Sequence, residues 1–261
     1  MKPSAQLQTG NYTHVNGINM YYEIHGSGMP LVLIHGGGST ISTSFGQIIP
    51  ELAKTQQVVA VELQAHGRTE DRDSPVSFQQ DAADVVELLH KLKIPKANLF
   101  GFSNGGQTAL EIGINYPEIV NKLVIASAFY KRNDVPEAFW KGFEDPQFSH
   151  LPQIYKDEYL KFKDEAGLLN MFNKDAARMK NFKGWTDEEI TSIQAPTLIV
   201  NGDRDLSTPE HAAALSRLLP QGRLMILPGG HGEYFGEANY SKHNSKIPLA
   251  FLQVVNDFLE Q

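Results

Sequence analysis

The stretch LFGFSNGGQTAL, residues 99–110, decides how this chain is read. Its glycines at 101 and 106, followed by Gln107 and Thr108, nearly spell the phosphate-binding loop G-x-x-x-x-G-K-[ST]. The same letters spell G-x-S-x-G from Gly101 through Ser103 to Gly105. A phosphate loop needs lysine at position 107, because its ammonium reaches the phosphates. That position is glutamine, and no compelling acidic metal-binding strand follows, so the nucleotide reading fails. G-x-S-x-G needs a strand, a sharp turn and a helix. ANLFGF (97–102), Ser103-Asn104 and GGQTALEIGINY (105–116) supply them in that order. Gly101 and Gly105 remove side chains that would collide across such a turn. Taken alone, the motif also fits an ordinary strand-to-helix turn with a capping serine. Its partners must decide.

The flanking pattern is that of a layered α/β domain. NYTHVNGINMYYEIHGSG alternates around Asn16-Gly17, a dipeptide suited to a tight hairpin turn. Continuous apolar runs follow at Leu31–Ile34, 57–63, 97–102, 121–128, 196–202 and 223–229. Runs without alternation suit strands buried on both faces, as in a parallel sheet. Between them lie helical patterns at 77–92, 104–116 and 209–219, with a last helix at 247–260. Strands alternating with helices predict a mostly parallel sheet flanked by helices. Residues 129–192 break this rhythm with many aromatics and helical periodicity, too long a stretch for a plain loop. They are expected to form a helical cap inserted into a core domain made of residues 1–128 and 193–261. Phe129, Trp140 and Phe143 are its candidate substrate-binding residues, although these aromatics could equally fill the insertion's own core.

A serine hydroxyl needs a base, and the base needs an orienting acid. The strand at 196–202 is followed by Asp203-Arg204-Asp205, and the strand at 223–229 by Gly230-His231-Gly232. Both lie at strand carboxyl ends, where ligands gather in open parallel sheets. The order serine, acid, histidine suits Ser103, Asp205 and His231, with Asp203 as the competing acid. His35 and His66 also neighbour glycines, but they precede the serine. His35-Gly36-Gly37-Gly38 ends the first buried strand and can approach a substrate closely. The backbone N–H groups of Gly37 and Asn104, with Gly38 as the alternative donor, are the expected oxyanion hole.

Bulk properties narrow the choice further. The 261 residues carry a formal net charge of −7 and no basic stripe, which argues against nucleic acid. The chain has no cysteine, which excludes disulfides, thiolate catalysis and zinc–thiolate sites. HGE at 231–233 cannot complete a deaminase zinc site without cysteines. No metal or cofactor is expected. The opening MKPSAQLQTGNYTHV lacks an apolar signal core, and no run is long enough to span a bilayer. A cytoplasmic enzyme is expected, or a periplasmic or secreted one if a signal has been removed. No motif specifies an oligomeric state.

With these residues in place, the chain from about 12 to 260 resembles the α/β-hydrolase superfamily. The likeness rests on HGGG at 35–38, ELQAHGRT at 62–69, GFSNGG at 101–106, NGDRD at 201–205 and PGGHG at 228–232. The resemblance implies an α/β-hydrolase fold with a helical cap. Its G-x-x-D acid pattern falls on Gly202–Asp205, favouring Asp205 over Asp203. Relatives mostly carry Asp where this chain has Glu62, in a loop that is mainly structural. Superfamily dehalogenases and epoxide hydrolases place Asp at the nucleophile, and Ser103 argues against both. The resemblance implies a serine hydrolase acting on a small carboxylic ester or lactone. Acyl transfer, carbon–carbon bond hydrolysis and cofactor-free peroxidase chemistry are alternatives on the same residues. An aminopeptidase would want an acidic cluster among Glu144, Asp145, Asp157, Glu158, Asp164 and Glu165, which reads equally as a solvated face. A ligand-binding protein with slow turnover is the non-enzymatic alternative.

Overall fold

The computed structural model describes residues 10–241 and 245–261; most of the opening stretch read for a signal core lies outside them. The chain begins with β1 (Asn11–Val15), β2 (Ile18–His25) and β3 (Met29–Ile34). Two short helices follow, α1 (Ile41–Phe45) and α2 (Ile49–Leu52), then β4 (Gln56–Val61) and α3 (Phe78–Lys91). Next come β5 (Ala97–Phe102), α4 (Asn104–Asn115) and β6 (Val120–Ala126). Between β6 and the following strand lie α5 (Glu137–Lys141), α6 (Gln153–Tyr159), α7 (Glu165–Lys180) and α8 (Asp187–Thr191). The chain ends with β7 (Thr197–Gly202), α9 (Pro209–Leu218), β8 (Gly222–Leu227) and α10 (Ile247–Glu260).

Among the described residues the strands form one eight-stranded sheet in the order β1-β2-β4-β3-β5-β6-β7-β8. β2 pairs antiparallel with β1 and β4, and the remaining pairs are parallel. The hairpin turn at Asn16-Gly17 has φ of 42° and 92°, as the primed hairpin turns require. The continuous apolar runs have the expected cause. Leu31 and Leu33 enter one core and Val32 and Ile34 the other, because successive side chains leave a strand on opposite faces. α3, α4 and α9 cover one face, while α1, α2 and α10 cover the other. This is the α/β-hydrolase fold. α1 and α2, with five and four residues, are too short to leave a helical period and were not legible in the sequence.

The helical segment between β6 and β7 packs largely through rings. Phe182 and Trp185 both approach Phe78 of α3 at 5.9 Å between centroids. Phe129 meets Phe139, Trp140 and Phe182 edge-on. The Trp185 indole N–H donates to Glu111 of α4 at 2.8 Å.

Turn geometry imposes the glycines around Ser103. A Cβ on Gly101 would stand 2.2 Å from the Gly105 carbonyl oxygen, and one on Gly105 would stand 2.0 Å from the Ile34 carbonyl oxygen. Both obstacles are backbone and cannot swing aside. Gly105→Ala is therefore expected to destabilise the fold by about 3 kcal/mol or more. Gly230→Ala, where the nearest atom is 3.8 Å away, should stay within about 0.5 kcal/mol. Urea unfolding of the two variants measures the difference, and equal stability would remove the steric account.

Candidate active site

Ser103 is the residue at which β5 becomes α4. Its φ of 52° and ψ of −123° lie where a non-glycine side chain is strained, at a cost on the order of 1–3 kcal/mol. Its N–H donates to the Ala126 carbonyl at 2.9 Å, which extends the β5–β6 ladder by one residue. Its carbonyl accepts from the N–H groups of Gly106 at 2.8 Å and Gln107 at 3.1 Å, which start the helix. Gln107, where a phosphate loop would carry lysine, is buried and donates to the Phe129 carbonyl at 3.2 Å.

His231 and Asp205 meet from the ends of β8 and β7. The His231 Nδ1 lies 2.7 Å from Asp205 Oδ1. A carboxylate can only accept there, so Nδ1 carries a proton, and it is Nε2 that keeps a lone pair in the neutral ring. The same Asp205 oxygen accepts from the Leu206 N–H at 2.6 Å. The other oxygen accepts from the Ser127 hydroxyl, which also contacts the Tyr234 hydroxyl at 2.8 Å. Burial alone would raise the Asp205 pKa, but the His231 ring and these donors hold it below the ordinary carboxylate value. Asp203 is exposed and accepts from the Gly229 N–H at 2.8 Å, joining the loops that follow β7 and β8.

The glycine loop after β3 is held from two sides. His35 Nε2 accepts from the Leu63 N–H at 3.0 Å, so Nδ1 carries the proton and donates to the Gly36 carbonyl at 2.8 Å. The Ser39 hydroxyl donates to that same carbonyl at 2.8 Å. In a trans peptide the N–H points opposite to the C=O. Fixing the Gly36 oxygen inward therefore turns the Gly37 N–H away from these partners. The Gly38 N–H is engaged elsewhere, 2.7 Å from Asp175 Oδ2, so it is not free to serve an oxyanion. Asn104 is the first residue of α4, where helix N–H groups lack intrahelical acceptors.

Behind this loop lies a buried ionic cluster that sequence reasoning missed. Asp175 Oδ2 lies 2.9 Å from His66 Nε2, and the other oxygen 2.5 Å from Arg178. Arg178 also donates to Asp81 of α3 at 2.5 Å. His66 Nδ1 faces the Gln64 carbonyl at 2.9 Å, and its Nε2 lies between Asp175 Oδ2 at 2.9 Å and the Gly38 N–H at 3.2 Å. Burial would lower its pKa, but Asp175 raises it above the ordinary value. His35, 4.9 Å away between centroids, is driven the other way by burial and by His66, to about 3. Burial raises Asp81 to about 6 despite Arg178. Glu62 is fully buried and clamped by the Arg68 backbone N–H at 2.7 Å and guanidinium at 2.5 Å, which closes its loop.

Ser103 and His231 line one cavity of about 400 Å³ with Gly36, Gly37 and Asn104. Phe129, Phe139, Phe143, Leu151 and Phe172 form much of the remaining wall. Phe129 and Phe143 thus reach the cavity. Trp140 departs from the expectation: it stacks on Phe182 at 5.8 Å and donates to the Arg132 carbonyl, buried in the aromatic core. Glu144, Asp145, Asp157, Glu158, Asp164 and Glu165 stay off the cavity wall, where Asp175 is the carboxylate present. Tyr155 on that wall donates to buried Glu237 at 2.7 Å, a second tie between the insertion and the His231 side of the core. The only early hint of Asp175 was its place three residues before Arg178 on the apolar side of α7.

Sheet order and site geometry together define an α/β hydrolase, and sequence similarity bears on the same point. Residues 29–155 match the family model for the alpha/beta hydrolase fold. The human serine hydrolase BPHL is 31% identical over 94% of this chain and 84% of its own. The chain belongs to the α/β-hydrolase family. A 2-hydroxy-6-oxo-2,4-heptadienoate hydrolase of Pseudomonas putida is 24% identical, covering 98% of each chain. The enol-lactonase of Burkholderia xenovorans LB400 superposes with a TM-score of 0.77 at 20% identity, covering 96% of this chain and 100% of that one. No helix among the described residues is long and apolar enough to cross a membrane.

The His66 pair has a pH signature. Its folded-state pKa is raised, so its stabilisation is complete below the unfolded value near 6.5 and is lost as pH rises through the folded value. His66→Gln should therefore show a shallower loss of urea stability between about pH 6 and pH 9 than the wild type. Parallel losses would place the pH dependence elsewhere.

Proposed function

We propose that this protein is a serine hydrolase that cleaves a small, uncharged carboxylic ester or lactone through an acyl-enzyme. The reading is carried by the 2.7 Å Asp205–His231 hydrogen bond, set beside a serine held at φ 52° on the same cavity. His231 Nε2 takes the Ser103 proton as Oγ attacks the carbonyl carbon, while Asp205 fixes the tautomer and balances the imidazolium. The Gly37 and Asn104 N–H groups receive the oxyanion. Collapse expels the alkoxide, which takes the proton back from His231, and water repeats the sequence on the acyl-enzyme. Residues 129–192 act as a cap over a core formed by residues 1–128 and 193–261, and Phe129 and Phe143 contact the substrate.

The cavity wall supports the choice of substrate class. Its volume suits a small ligand, and among the described residues no lysine or arginine lines it. A dienoate of the kind named for the Pseudomonas putida relative carries a carboxylate, for which this wall offers no lysine or arginine. A neutral ester or lactone meets no such penalty. This favours ester chemistry over carbon–carbon bond hydrolysis.

Short p-nitrophenyl esters assayed with wild type and Ser103→Ala are the direct test. Sustained wild-type turnover should fall about a thousandfold or more in the variant. Asp205→Ala should cost about as much, and Asp203→Ala far less. Equal rates with and without the serine hydroxyl would end the serine-hydrolase reading. A burst that stalls would mean that water is the wrong acceptor.

A further inference from the structure

We propose that Asp175, carried by the helical insertion, is a positioning residue that sets the oxyanion loop of the core. The inference rests on the serine-hydrolase reading and adds a residue to it. Asp175 is 137 positions from Gly38 in the chain, yet its carboxylate receives the Gly38 N–H at 2.7 Å in a buried setting. The same oxygen packs against Gly37, where an added Cβ would stand 3.1 Å from it.

Two peptide planes decide where the Gly37 N–H points. The plane between Gly36 and Gly37 is held from the core side by His35 and Ser39 on the Gly36 carbonyl. The plane between Gly37 and Gly38 is held through the Gly38 N–H, which lies 2.7 Å from Asp175 Oδ2 and 3.2 Å from His66 Nε2. Gly37 lies between them with no side chain, so its own torsions are soft unless both planes are anchored. The core alone holds the first plane, and α7 supplies the shorter of the two contacts on the second. The oxyanion donor is thus fully aimed while α7 is seated.

A bare carboxylate beside a developing oxyanion would oppose the reaction. The surrounding charges answer this. His66 and Arg178 lie 2.9 Å and 2.5 Å from the two oxygens of Asp175, and Arg178 is shared with Asp81. Two cations and two carboxylates make a cluster of no net charge when all are ionised. Asp175 can therefore hold the loop by hydrogen bonding without imposing a negative field on Gly37. A lysine or arginine on the cavity wall is not needed for this compensation, because it comes from behind the loop.

The test compares Asp175→Ala and Asp175→Asn with wild type in the full chain. The readouts are kcat and KM for a p-nitrophenyl ester, the Ki of a trifluoromethyl ketone whose tetrahedral adduct carries an oxyanion, and thermal unfolding. Asp175→Ala should lower kcat roughly 10- to 100-fold with KM nearly unchanged, and Ki should rise by a similar factor. Asp175→Asn keeps a carbonyl oxygen for the Gly38 N–H and should fall between Ala and wild type. If Asp175→Ala does not fold, Asp175→Asn carries the test through the same parallel movement of kcat and Ki. Folded variants with wild-type kcat, or with KM rising as much as Ki, would overturn the positioning role. A fluorophosphonate titration of wild type and Ser103→Ala separates this from failure of the underlying reading. Labelling that depends on Ser103, with Asp175 variants unchanged, removes only the positioning role. Labelling that ignores Ser103 removes both.

Discussion

One strained residue organises the site: Ser103 at φ 52°, turning the chain from β5 into α4 without a spacer. That turn is possible only because β3, β5 and β6 crowd around it. Ile34 blocks any side chain at 105, Gly105 blocks any at 101, and Ala126 accepts the serine N–H. The strain is held by the sheet rather than by the turn itself, as expected where surrounding structure over-determines a costly conformation. In return the serine stands at the carboxyl edge of the parallel strands, with the start of α4 beside it. The other candidate residues follow from the same edge. β3 ends at the glycine loop, β7 runs into Asp205, and β8 leads to His231. Parallel pairing brings these ends together however far apart they lie in the chain.

Two histidines near the glycine loop show how burial and partners divide one residue type into two roles. His35 is neutral because its Nε2 must accept from Leu63, and burial with a cationic neighbour drives its pKa down. His66 is held toward its charged form, because Asp175 lies against its Nε2 and outweighs burial. The neutral ring orients the Gly36 carbonyl. The charged ring offsets the carboxylate that holds Gly38. Neither lines the cavity with the serine, whereas His231, with Nδ1 on Asp205, does.

The segment between β6 and β7 does more than pack rings. Its aromatics merge with the core through Phe78, while Asp175 and Tyr155 carry polar ties to the glycine loop and to the His231 side. Removing polar partners from such buried positions costs more than the bonds themselves, because the remaining groups lose both protein and water. The seating of this segment and the geometry of the site are therefore physically linked.

Much of this was legible from residue order alone. Continuous apolar runs marked the doubly covered strands, and Asn16-Gly17 marked the hairpin. G-x-S-x-G marked the turn, because each of these patterns is local and repeats within a few residues. Asp205 needed one more piece, since only the fold shows that Asp203 faces the Gly229 loop while Asp205 faces His231. Trp140 could not be told from a pocket residue, because an aromatic reads alike in a core or on a wall. Tyr155, Glu237 and Ser127 were not legible at all, and Asp175 only through its spacing to Arg178. The bonds from Ser127 to Asp205, Tyr155 to Glu237 and Gly38 to Asp175 span between 78 and 137 positions, and a long-range hydrogen bond leaves no spacing in the chain. The sequence by itself determined the strands, the turn and the order of the chemical groups, since these are set by local sterics and periodicity. Tertiary packing alone decided which carboxylates pair with which cations, and which glycine N–H is left unengaged by a carboxylate, since those depend on distances that only the closed fold creates.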